Sequence, residues 1–204
     1  MHAPVKLYLA SSNPGKLAEY RALTETIASS LPLELSLCPN FDALSSFEEN
    51  APTFAENATG KALHYSRFQD GLIFADDSGL VVPTLNGAPG VHSARYAGPH
   101  ASSALRVTKL LREMQGKSGS ERSAHFICAI ALFERGRPVA IVTDRVDGTI
   151  LETPRGAGGF GYDPVFFFPA LQKSFAELTA TEKNLYSHRG KAFRRLLAFL
   201  SIVL

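Results

Sequence analysis

Residues 124–134 and 138–151 are two long runs of strand character separated only by Arg135-Gly136-Arg137, the pattern of a β-hairpin. A hairpin of this length commits the chain to a sheet, and its neighbours indicate what covers that sheet. Val5-Lys6-Leu7-Tyr8-Leu9-Ala10 is a strand-length apolar run. It meets a polar turn, Ser11-Ser12-Asn13-Pro14-Gly15-Lys16, which offers cap residues and a Pro at the first helical position. Leu17, Tyr20, Leu23, Thr24 and Ile27 then recur at helical spacing. A strand, loop and helix in that order aim backbone N–H groups and the positive end of the helix dipole at whatever lies above the loop.

Further along, Leu33 to Leu37 alternates like a strand, and Asn40 to Asn50 reads as an irregular acidic loop. Thr53-x-x-Glu56 is a capping box that opens a helix with Phe54, Ala58, Ala62 and Tyr65 on one face. Leu72 to Ala75 is a buried-type strand, expected to end at Asp76-Asp77-Ser78-Gly79. A Gly/Pro-punctuated stretch from Pro83 to Pro99 leads to a helix over 101–115. After the hairpin come a glycine-dense loop, Gly156 to Asp163, and the aromatic run Phe166-Phe167-Phe168. A second capping box follows at Thr179-x-x-Glu182, then a final helix with Phe193, Leu196, Leu197 and Leu200 on one stripe. The element order predicts an α/β or mixed α+β fold, a sheet partly covered by helices, in one domain over 1–204.

Composition narrows the function. With 45% hydrophobic and 20% charged residues, the chain is neither disordered, collagen-like nor a coiled coil. Lys+Arg is 21 against Asp+Glu 19, too even a balance for a broad field that grips nucleic acid. Phosphate binding must come from a local cluster. Cys38 and Cys128 sit among apolar neighbours and read as small buried hydrophobes. No apolar run is long enough to span a bilayer, and Lys6 and Lys16 bracket a strand, not a signal peptide. The expected location is the cytoplasm.

Asp76-Asp77 is the sharpest chemical feature. Two adjacent carboxylates after an apolar strand are hard to justify as packing, and strand ends in α/β sheets are where ligands sit. Alternation sends the two to opposite faces, so one faces a ligand and the other braces the loop backbone. Glu48-Glu49 on the preceding loop adds an oxygen ligand, and a loop Glu with one such Asp suits Mg²⁺. Gly156-Ala157-Gly158-Gly159-Phe160-Gly161 spells a dinucleotide fingerprint but lacks its strand and following helix. It reads instead as backbone that approaches a ligand closely, with Phe160 or Tyr162 stacking on a flat ring. Lys16, Lys61, Lys183 and Arg189 supply separated cations, and together these parts suggest a nucleotide handled as its metal complex.

The sequence resembles the inosine triphosphate pyrophosphatase-like enzymes, which hydrolyse non-standard purine nucleoside triphosphates to monophosphate and pyrophosphate. The resemblance is carried by Leu9–Lys16, Thr53-Phe54-x-Glu56-Asn57-Ala58 with Lys61-Ala62, and Ala75–Leu80. It continues through Gly87–Val91 with Ser93–Tyr96, then Gly159–Pro164 and Ser187–Gly190. It implies an elongated mixed sheet, two lobes around a cleft, a homodimer, and activity on ITP, dITP and XTP. It further implies a phosphate loop at Ser11, Ser12, Asn13, Pro14, Gly15 and Lys16. Glu49 and Asp77 resemble a metal pair, Asp77 the proton acceptor, and Ser78 and Lys61 substrate contacts. Phe160, Gly161, Tyr162 and Asp163 resemble the base-binding segment, and Lys183, His188 and Arg189 the group reading the purine's 6-keto edge and the phosphates. Ser11-Ser12-Asn13 stands where many relatives have Thr-Gly-Asn, and Tyr162 where many have Trp. A pyrophosphatase for modified pyrimidines is the nearest alternative, and a nucleotide-binding regulator without turnover is another.

Overall fold

The computed structural model describes residues 4–11, 13–26 and 32–203. Its strands form one mixed sheet in the order β2-β1-β3-β4-β5-β6-β7. These are β1 (Val5–Leu9), β2 (Leu33–Leu37), β3 (Leu72–Val81), β4 (Ser123–Glu134), β5 (Arg137–Ile150), β6 (Phe166–Phe168) and β7 (Lys173–Ser174). The α-helices are α1 (Pro14–Thr26), α2 (Phe54–Tyr65), α3 (Ser103–Glu113), α4 (Ala180–Tyr186) and α5 (His188–Val203). β1 pairs in parallel with both β2 and β3, while β6 is antiparallel to β5 and β7. The hairpin turn Arg135-Gly136 has positive φ at both residues, as a type I′ turn requires.

The chain divides into two compact units, neither continuous in sequence. The first comprises residues 1–77, 128–144 and 189–204; the second comprises 78–127 and 145–188. In the first, Leu7 and Leu9 of β1, Phe74 of β3 and Ile130 and Leu132 of β4 pack with the expected stripe of α5, Phe193, Leu196, Leu197 and Leu200. Tyr20 of α1 fills the centre edge-on to Phe74 and Phe193, with ring centroids 5.0 and 4.9 Å away. In the second, Leu110 and Met114 beside α3's end pack with Leu80, Phe126, Phe166 and Phe175.

Local signals place the helices. Thr53 caps α2 through its hydroxyl, which accepts from Glu56 N, while Glu56 Oε2 accepts the hydroxyl proton. The Thr179–Glu182 box at α4 is complete. β3 departs from expectation: it does not end at Asp76 but continues to Val81. β1 stops pairing at Leu9 opposite Phe74, and Ala10 N donates to Phe74 O. The carboxylates therefore lie beyond the end of β1, on a strand that carries on without it.

Candidate functional site

In the first unit, alternation along β3 sends its two carboxylates different ways. Asp76, fully buried, meets Lys16 of α1 at 3.1 Å and Arg189 of α5 at 3.4 Å. Arg189 also pairs with Glu19. Burial alone would raise the Asp76 pKa, but Lys16, Arg189 and Lys61 outweigh it and hold the carboxyl at about 2. Cys128 Sγ lies 3.9 Å from Asp76 Oδ2 and 4.0 Å from the Tyr20 hydroxyl. Burial and the nearby Asp76 charge push its thiol pKa up. Both cysteines are free and buried, as their settings predicted.

Asp77 faces α2. Asn57 Nδ2 donates to its Oδ2 at 2.9 Å. Burial and the Glu49 charge push its pKa up to about 6, against the opposing pull of Lys16 and the Asn57 hydrogen bond. Of the acidic loop pair, Glu49 turns inward onto Lys61 at 2.6 Å, while exposed Glu48 accepts from Asn50. The Lys16 and Lys61 ammonium groups also converge on the Asp76 carbonyl, at 3.1 and 3.5 Å. Neighbouring carboxylates raise the Lys61 pKa despite its burial.

The turn before α1 is built as a cap. Ser11 Oγ accepts from Asn13 N, and Asn13 Oδ1 accepts from both Gly15 N and Lys16 N. An anion reaching this turn would take those two N–H groups over from Asn13. α1 begins at Pro14, and Ser12 lies outside the described residues.

The second unit holds Ser78, half-buried on β3, and the glycine-loop residues. Asp163 Oδ2 accepts from Phe160 N and pairs with Lys183 Nζ, both at 2.7 Å. Lys183 lies 4.6 Å from the centre of the half-buried Phe160 ring. Gly159 has φ +70, and any Cβ there would land on the Asp163 carboxylate, so only glycine closes this turn. Gly161, at φ +66, completes it. His188 stacks on Phe126, centroids 4.7 Å apart and rings 10° from parallel.

Two expectations change. Tyr162 is a core residue whose hydroxyl donates to Ser93 O at 3.0 Å; its ring is not offered for stacking, which leaves Phe160. Lys183 and Arg189, expected as separated cations, do not stand as bare charges for a ligand. Lys183 and Arg189 are each buried on a carboxylate and belong to different units, because a buried charge needs a partner. Sequence reasoning missed Asn57, Glu19 and Tyr20. Asn57 carried a visible signal, an amide beside the apolar positions of α2; Glu19 carried none, lying 170 residues from its partner.

Hard oxygens from Glu49 and Asp77 suit a divalent cation such as Mg²⁺, which takes one or two carboxylates and completes its shell with substrate and water. The charge crowding that raises the Asp77 pKa is what such a cation would relieve. Among the described residues no set of three or more His, Cys, Asp or Glu side chains gathers as a self-sufficient metal cage.

The Ham1 family profile matches residues 7–199. A dITP/XTP pyrophosphatase of Geobacillus kaustophilus is 46% identical over 191 residues, covering 94% of this chain and 92% of the relative. A HAM1 protein from Coxiella burnetii superposes with a TM-score of 0.84 at 40% identity, covering 97% of this chain and 98% of that one. The Staphylococcus aureus Ham1 protein gives 0.84 at 33% identity, covering 98% and 100%. A profile match over nearly the whole chain, with fold and identity in agreement, shows that the chain belongs to the Ham1 family.

Proposed function

We propose that this protein hydrolyses the non-standard purine nucleoside triphosphates ITP, dITP and XTP to the monophosphate and pyrophosphate. The observation that carries this is the unequal pair Asp76 and Asp77. One is locked as an anion by Lys16 and Arg189, and the other is raised to about 6 beside Glu49. With that crowding relieved Asp77 is ionised at neutral pH, as a general base must be. Asp77 takes a proton from water as its oxygen attacks the α-phosphorus; the bond from that phosphorus to the α–β bridging oxygen breaks, and pyrophosphate leaves with the electron pair. Lys16 and Lys61 balance the growing charge, and positioning with charge neutralisation does most of the work in such reactions.

Glu49 and Asp77 hold Mg²⁺ when it is bound, and the ion supplies charge neutralisation on the phosphates. The Ser11–Lys16 turn, including Ser12, Asn13, Pro14 and Gly15, receives phosphate oxygens. Phe160 offers its ring to the base, with Gly161 and Asp163 shaping the loop and Ser78, Lys183, His188 and Arg189 completing the substrate set. A fixed donor such as Lys183 meets a 6-keto oxygen favourably and a 6-amino group unfavourably, a difference of about 1–3 kcal/mol. Family resemblance supports a homodimer, which sedimentation at micromolar concentration checks. No described helix is long and apolar enough to cross a membrane, and the cytoplasm is the proposed location.

The test is a product assay on ITP, dITP, XTP, GTP, ATP and modified pyrimidine triphosphates, with and without Mg²⁺. Pyrophosphate from the first three, dependent on Mg²⁺, is expected. Orthophosphate as first product rejects the bond assignment, preference for the pyrimidines rejects the substrate class, and binding without turnover rejects the enzyme.

A further inference from the structure

The acidic loop lies on one face of α2. Asn57, Gly60, Lys61 and His64 follow at intervals of three, one and three residues, so they share that face. His64 Nε2 meets Ser45 O at 2.8 Å and Ser45 Oγ at 3.2 Å. The Phe47 ring covers Gly60, and the three atoms nearest to a Cβ built there are all in that ring, Cζ at 2.5 Å. Lys61 holds Glu49. Asn57 holds Ala51 from both sides: Oδ1 accepts Ala51 N at 2.9 Å and Nδ2 donates to Ala51 O at 3.3 Å. Glu49 is thus fastened two residues before and two residues after itself.

Asn57 does more than fasten the loop. Its amide is fully buried, and its second N–H goes to Asp77 Oδ2. The network leaves the amide one orientation: Oδ1 must face the Ala51 N–H, so Nδ2 must face the Ala51 carbonyl and the carboxylate. We propose that Asn57 is a positioning residue for divalent-cation binding, holding the Glu49 loop and Asp77 in one register, with the Phe47 ring on Gly60 as the loop's second fastening. The proposal rests on the reading of Glu49 and Asp77 as cation ligands. It also accounts for a glycine inside α2, where alanine is the better helix former: the ring occupies the space a side chain would need.

The test is Mn²⁺ binding to nucleotide-free protein, followed by electron paramagnetic resonance of the free ion, for wild type, Glu49→Gln, Asn57→Ala, Gly60→Ala and the double variant Gly60→Ala/Phe47→Leu. Circular dichroism accompanies each to confirm the fold. Asn57→Ala and Gly60→Ala are expected to weaken Mn²⁺ binding about 10- to 100-fold, the range for groups that orient metal ligands. Gly60→Ala keeps the wild-type circular dichroism, and the shorter leucine side chain makes the double variant bind more tightly than Gly60→Ala. Wild-type affinity in Gly60→Ala and Asn57→Ala, with Glu49→Gln weakened, overturns the positioning role and leaves the cation reading standing. A double variant no tighter than Gly60→Ala removes the ring's part in it. Wild-type affinity in Glu49→Gln overturns the cation reading and this proposal with it.

Discussion

The two units use charge differently. The first gathers Asp76, Asp77, Glu49, Glu19, Lys16, Lys61 and Arg189 into one connected set of ion pairs and neighbouring charges. The second sets the buried ion pair Asp163–Lys183 against an aromatic ring in a glycine-rich turn. The first is a dense polar network of several charges; the second is one ion pair beside an aromatic face. In each, the cations are already matched to carboxylates, so none of them is a buried charge without a counter-ion.

Substitutions test this contrast, the most disruptive first. Asp77→Asn should lower pyrophosphate release from ITP by about 10²–10⁴-fold, the range for a lost general base. The same variant should be more stable. The folded pKa of Asp77 is raised from 3.8 to about 6, so its favourable contribution is present below about pH 4 and lost as pH rises through about 6. Asparagine escapes that loss. In EDTA, Asp77→Asn should gain about 3 kcal/mol over wild type in urea unfolding at pH 7.5 and under about 1 kcal/mol at pH 4. A variant that is inactive and less stable at pH 7.5 would break the contrast.

Asp76→Asn should do the reverse, taking the buried counter-charge from Lys16 and one of the two carboxylates from Arg189, and losing about 3–5 kcal/mol of stability by the same measurement. In the second unit, Lys183→Met should narrow the preference for ITP over ATP in kcat/KM by about 5- to 150-fold, equivalent to ~1–3 kcal/mol. Asp77→Asn should leave that ratio unchanged. Smallest of all, Tyr162→Phe should lose about 1 kcal/mol with its bond to Ser93 and leave the KM for ITP unaltered; a large rise in KM would return Tyr162 to the ligand.

Much of this frame is legible in the sequence. The opening strand, turn and helix, both Thr-x-x-Glu starts, the hairpin and the α5 stripe are local patterns, and local patterns survive folding. Alternation alone sends Asp76 and Asp77 to different partners, Lys16 on one side and Asn57 on the other. The end of β3 was misplaced because two consecutive acids look like a terminus. The strand tolerates them because one is paired with Lys16 and Arg189 and the other is hydrogen-bonded by Asn57. The pairing of each cation was invisible for a different reason. Arg189 reaches Glu19 across 170 residues and Asp76 across 113, and no spacing rule covers such distances. Phe160 and Tyr162 look alike in a glycine loop until one hydroxyl finds a carbonyl.

The Cys128 thiol, sealed between Tyr20 and Asp76, gives the protein a built-in reporter. Its pKa is pushed up by burial and by the adjacent Asp76 charge, so the nucleophilic thiolate is scarce and reagents cannot reach it. Alkylation of Cys128 must wait for this part of the chain to open. Its labelling rate, followed by mass spectrometry, therefore measures opening of the same buried network that holds Asp76 on β3, and any ligand that steadies the native state slows the label in proportion to its occupancy.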